Sequence, residues 1–147
     1  MKPFAFRFEK FLNLRKFREE EAKIELGRAV GFLSEIESKL NSLAKEKARA
    51  SLAQFSPGNS AALMQQYMYY LLRLDDTEEE LLKQKLKAEQ VVEEAREMYI
   101  EASRERKVLD NLKEKKLKEY REARLDYETK VLDDISSGVL ARLRITA

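Results

Sequence analysis

FSPGNS, Phe55 to Ser60, is the one strong helix breaker inside this chain of 147 residues. Pro57 fixes its own φ and Gly58 supplies the permissive backbone of a turn. Ser60 or Asn59 can cap whatever helix follows. On either side nothing interrupts a helix for long stretches. From Phe8 to about Gln54 the apolar residues Ala22, Leu26, Ala29, Leu33, Ile36, Leu40 and Leu43 recur with gaps of four and three. That is a heptad seam. From Ala61 the same spacing runs through Leu63, Tyr67, Tyr70, Leu74, Thr77, Leu81, Gln84, Ala88, Val91, Ala95, Met98 and Ala102. It continues through Leu109 and Leu112, then slips by one residue to Leu117, Tyr120, Tyr127 and Val131. Ser136, Ser137 and Gly138 read as the stop.

Two seams joined by a tight turn predict an all-α fold, a long antiparallel two-helix coiled-coil hairpin with unequal arms. The expected bounds are helix 1 at about 8–54, the turn at 55–60, helix 2 at about 61–136 and a short tail at 137–147, together a single domain. Composition agrees, with 38% charged residues, two prolines and no tryptophan. The pair Gly27 and Gly31 falls on the outer face, where a bend or weak spot fits better than a close approach.

The arms decide what the hairpin can do. With the turn centred near residues 57 and 58, residue i lies opposite roughly residue 115 − i, so Phe8 faces about Lys107. Val108 to Ile135 then has no partner from helix 1. At ~1.5 Å per residue this is an overhang of about 40 Å. It still carries an apolar stripe, with Leu109, Leu112, Leu117, Tyr120, Tyr127 and Val131 as candidate protein-binding residues. A bare helix gains nothing from such a stripe in water, so the overhang predicts self-association or insertion into another protein.

Beside the stripe lie Arg106, Lys107, Lys113 and Lys116, within a run that also holds Glu105, Asp110 and Glu114. Such a run is either a solvated coiled-coil face or a surface that docks on an acidic partner. Tyr67, Tyr69, Tyr70, Leu71 and Leu74, just after the turn, cover more than one face. Tyr67 and Tyr70 hold seam positions, as does Leu74, where a packed core is expected; Tyr69, Leu71 and Leu72 lie off the seam and offer a contact to a docking partner.

Several function classes are excluded. With no cysteine and no histidine, the chain lacks the thiol nucleophile, the commonest metal ligands and the usual general base near neutral pH. Adjacent carboxylates such as Asp75 and Asp76 do not face each other on a helix, and no phosphate loop or ligand cluster occurs. No catalytic residue, metal or cofactor is therefore expected. Twenty-nine basic and 27 acidic residues nearly cancel, so no nucleic-acid partner is expected either. No apolar run approaches a membrane span, so any membrane contact is peripheral, without direct insertion.

Three passages, in this order, resemble the FliJ family of the bacterial flagellar export apparatus. The start FAFRFEKFLNLRKFREEEAKIELGRA holds Phe4, Phe6, Phe8, Phe11 and Phe17 before a Glu/Ala-rich helix. YMYYLLRLDDTEEEL opens the second helix, and EASRERKVLDNLKEKKLKEYREARLDYETKVLDDI is similar to the family's charged segment. The resemblance implies a cytoplasmic, non-enzymatic component of flagellar type III export, peripheral at the inner membrane. Family members are antiparallel two-helix coiled coils similar to the central stalk of rotary ATPases. The implied partners are the export ATPase ring, whose assembly they promote, the export gate membrane protein and the export chaperones.

The basic, partnerless end is expected to dock in the ring, and the turn end to face the gate or chaperones. Two alternatives stay open: the equivalent stalk of a virulence-type secretion system, and a self-assembling scaffold whose overhangs pair. The opening phenylalanines read as an extended lead into helix 1 that clamps helix 2 around Arg104 to Leu112.

Overall fold

A computed structural model describes residues 1–146. Two helices account for nearly all of it, α1 at Glu9–Gln54 and α2 at Ala61–Thr146, and no strand occurs among the described residues. The fold is all-α, a helical hairpin.

The turn forms as its residues dictate. Gly58 has φ 87, the left-handed conformation that glycine adopts without a Cβ clash. Asn59 and Ser60 divide the capping between the two helices. The Asn59 amide donates to the Ala53 and Gln54 carbonyls at 2.7 and 3.1 Å, satisfying two acceptors at the end of α1. The Ser60 hydroxyl accepts from the Leu63 amide at 3.1 Å and caps α2.

α2 does not stop at Ser136 to Gly138; it runs on to Thr146. Those three residues are poor helix formers, but Gly138 costs only about 1 kcal/mol relative to alanine. No proline follows to make the stop absolute. The expected tail is therefore helix.

The chain has two compact units, Glu19–Glu101, and Met1–Arg18 with the part of α2 from Ala102 onward. In the first, α1 and α2 pack around Ala29, Ile36, Ala50, Ala88 and Val92. Gly27 and Gly31 are exposed, and a Cβ at either position would meet nothing within 4 Å, so the pair is not a close-approach site.

The α1 seam lies as the spacing predicts, with Ala22, Leu26, Ala29, Leu33, Ile36, Leu40 and Leu43 all buried or half-buried. The α2 seam does so in part, with Tyr67, Tyr70, Leu74, Leu81, Ala88, Ala95 and Ala102 inward. Thr77, Gln84, Val91 and Met98 are exposed, and Glu78, Lys85, Val92 and Tyr99 are turned inward instead. From Leu71 onward the inward positions are 74, 78, 81, 85, 88, 92, 95 and 99, an unbroken alternation of three and four. Charged side chains hold some of these places because their aliphatic stems pack while their heads find partners. Lys47 of α1, itself on the seam, reaches Glu78 at 2.7 Å and Asp75 at 2.6 Å.

Candidate protein-docking surface

In the unit built from Met1–Arg18 and the α2 segment from Ala102, α1 contributes one fully buried side chain, Leu12. Around it the helices are tied by charge. Arg15 pairs with Glu105, and Lys113 reaches Glu9 at 2.9 Å. These long charged side chains reach five to seven residues beyond the register expected from the turn, whereas Phe8 stands beside Val108 and Leu109 as that register predicts. The cause is the tilt of Cα–Cβ bonds toward each helix's own N-terminus. In an antiparallel pair both tilts add to the offset, and long Arg and Lys chains extend it.

Residues 1–8 then carry the covering further along α2. The backbone turns into α1 with the Glu9 amide on the Phe6 carbonyl and the Leu12 amide on the Phe8 carbonyl. Phe6 meets Phe8 edge to face with centroids 5.9 Å apart, and Phe8 meets Phe11 at a tilt with centroids 6.2 Å apart. The Arg7 guanidinium sits 5.5 Å from the Phe8 ring centre. Phe8 and Phe11 line a groove of about 380 Å³ with Arg15, Glu105, Val108 and Leu109. Phe4 packs against Tyr120 at 5.6 Å, and the Tyr120 hydroxyl donates to the Lys2 carbonyl at 2.7 Å. Met1 and Pro3 edge a hollow shared with Arg124, Tyr127 and Glu128.

This coverage corrects the overhang. Leu109, Leu112, Leu117 and Tyr120, expected to be partnerless, are half-buried. Arg106 and Lys113 are also half-buried, Arg106 paired with Asp110 and Lys113 with Glu9. Lys107 is exposed, and Lys116 is exposed with Glu119 at 3.2 Å. Tyr127 and Val131 stand open, 51% and 38% exposed. Every residue from Arg121 to Thr146 is exposed, a bare helix of about 39 Å at ~1.5 Å per residue. The partnerless segment therefore begins at Arg121 rather than Val108, and it ends about ten residues later than the spacing suggests.

The second candidate surface, near the turn, splits between the two faces of α2. Tyr67, Tyr70, Leu71 and Leu74 are half-buried, whereas Tyr69 is 54% exposed. Leu71 lies inward, contrary to its off-seam reading, because the observed seam runs through positions 71 and 74. Met68 and Leu72 flank Tyr69 on the open face, 46% and 53% exposed; Leu72 and Met68 are four apart, the spacing that places them together.

Tyr70 is pinned. Its hydroxyl donates to Glu46 at 2.8 Å, and Arg49 donates to the same carboxylate at 2.5 Å. The Arg49 hydrogen bond, then that of Tyr70, holds the Glu46 carboxyl at about 2, below its ordinary 4.5. The Tyr70 hydroxyl is pushed up in turn, because losing its proton would set two anions together. Lys47 is raised by its bonds to Asp75 and Glu78. These are solvated pairs that fix the register near the turn.

No helix among the described residues is long and apolar enough to cross a membrane. A family model described as the flagellar FliJ protein matches residues 4–143. No curated protein and no solved structure matches the chain.

Proposed function

The chain belongs to the flagellar FliJ protein family, and from that premise we propose how this flagellar export protein acts: as a non-enzymatic stalk and adaptor. The bare end of α2 docks in the ring of the export ATPase and promotes its assembly. The exposed face of Met68, Tyr69 and Leu72 meets the export gate or a substrate chaperone. The protein works at the cytoplasmic face of the inner membrane.

The observation that carries this reading is the segment Arg121 to Thr146, helical and without a covering element. Its first half continues the seam through Tyr127 and Val131, so the face that α1 and the N-terminus occupy up to Tyr120 is offered beyond it to another molecule. A ring subunit laid against that face supplies the missing cover.

The test is purified export ATPase with and without the intact chain, scored for ring formation and turnover. The chain is expected to raise both. Replacing Tyr127 and Val131 together with Ser is expected to abolish the effect and leave the thermal melt nearly unchanged, because neither side chain packs against α1. No effect from the folded wild-type chain would sink the proposal. So would light scattering that finds a stable dimer with Arg121 to Thr146 buried between copies, which is the scaffold reading of the same bare helix.

A further inference from the structure

The last three turns of α2, from Ile135 to Thr146, differ from everything before them. Elsewhere the chain mixes both charge signs closely, but after Asp134 there is no carboxylate side chain and no lysine. The side-chain charges left are Arg142 and Arg144. Val139, Leu140, Leu143 and Ile145 are 48%, 57%, 59% and 84% exposed.

Ile145, eighteen residues after Tyr127, falls back on the seam face, but the other three do not prolong the seam. Leu132, Ile135, Val139 and Leu143 follow one another at three, four and four residues and form a stripe of their own, with Leu140 beside it. At about 100° per residue this stripe lies roughly a third of the way round the helix from Tyr120, Tyr127 and Val131. On the same count, Arg142 and Arg144 fall about 100° to either side of its centre. Their stems can lie along the borders of the apolar face while both guanidinium groups point away from it.

That arrangement fits a surface rather than another helix. A coiled-coil partner is matched by flanking charges of both signs, as along the rest of α2. Within residues 135–146 the flanks carry one sign only, complementary to an anionic plane. We propose that residues 135–146 are a lipid-binding helix that lies in the plane of an anionic phospholipid bilayer. Ile135, Val139, Leu140 and Leu143 enter the acyl boundary, and Arg142 and Arg144 meet the phosphates. The helix is too short and too amphipathic to span. The contact is this chain's own hold on the membrane and does not depend on ring docking.

The test is co-sedimentation of the full chain with vesicles of phosphatidylglycerol and phosphatidylcholine, and with phosphatidylcholine alone. Binding is expected to the anionic vesicles and to fall with added salt. Arg142→Glu with Arg144→Glu is expected to lower partitioning roughly 30-fold or more. Leu140→Ser with Leu143→Ser, which keeps both arginines, is also expected to lose it. Circular dichroism of each variant checks that the hairpin is still helical. Absent binding, or equal binding to neutral vesicles, would overturn the proposal. So would an equal loss from Lys115→Glu with Lys116→Glu, which would reduce the effect to net charge. A dimer that buries the Leu132 to Leu143 stripe without lipid would overturn it as well.

Discussion

Val91 and Val92 are neighbours in sequence with opposite fates, 52% and 7% exposed, and replacing each by alanine tests the α2 frame directly. Removing two methyl-sized groups from a buried valine costs about 1.6 kcal/mol at ~0.8 kcal/mol per group. The residual cavity at Val92 adds to this. Alanine returns roughly 0.5 kcal/mol through its better helix propensity, equally at both sites. Val92→Ala is therefore expected to destabilise by about 1–2 kcal/mol. At Val91 only about half of the transfer term is at stake, roughly 0.8 kcal/mol, and the propensity gain nearly cancels it. The two variants should differ by about 1 kcal/mol or more, a gap of roughly 4 °C in melting temperature for a chain of this size. Thermal unfolding followed by far-UV circular dichroism reads it. Equal melting temperatures, or a larger loss at Val91, would refute the frame and restore the seam through Val91 and Met98.

Two further perturbations act near the turn. Gly58→Ala places a side chain at φ 87 and is expected to cost about 1–2 kcal/mol by urea titration, whereas Gly27→Ala, in open helix, should stabilise by up to about 1 kcal/mol. The Glu46 carboxyl, held at about 2 against an ordinary 4.5, contributes stability that is complete above pH 4.5 and is lost as pH falls toward 2. Melting temperatures taken across that window should fall less steeply for Glu46→Gln than for wild type; parallel curves would mean that the Arg49 and Tyr70 bonds do not form in solution.

The hairpin is legible in the sequence because its two signals are local: a proline-glycine turn, and apolar spacing on α1 where every seam residue from Ala22 to Leu43 is apolar. The α2 seam misleads because apolar spacing follows the apolar residues, and at 77/78, 84/85, 91/92 and 98/99 the choice lies between neighbours. Glu78 and Lys85 occupy inward positions that hydrophobicity alone assigns elsewhere. What admits Glu78 is Lys47 across the pair, and a cross-helix partner is visible only once the register is known. The register centred on the turn holds for Phe8 beside Val108 and for Tyr70 with Glu46, and the long charged side chains reach about five residues beyond it because they tilt along the helix.

The docking surface is harder to read, because both of its limits rest on non-periodic sequence. Residues 1–8 have no repeat that tells how far they run along α2, so the aromatic clamp around Leu109 is foreseeable while the reach of Phe4 to Tyr120 is not. At the far limit, Ser136 to Gly138 looks like an end, and stopping there hides the second stripe, whose Val139 and Leu143 lie beyond it. Once the helix is carried to Thr146, the bare end has two apolar faces instead of one. Helical turns gain little from propagation alone in water, and those past Gly138 bury nothing within the chain. Their amphipathic pattern is costly to leave uncovered and useful only against a surface. The seam face, with Tyr127 and Val131, suits a protein that replaces α1, and the arginine-bordered face suits an anionic plane, so substitutions at one should leave binding at the other intact.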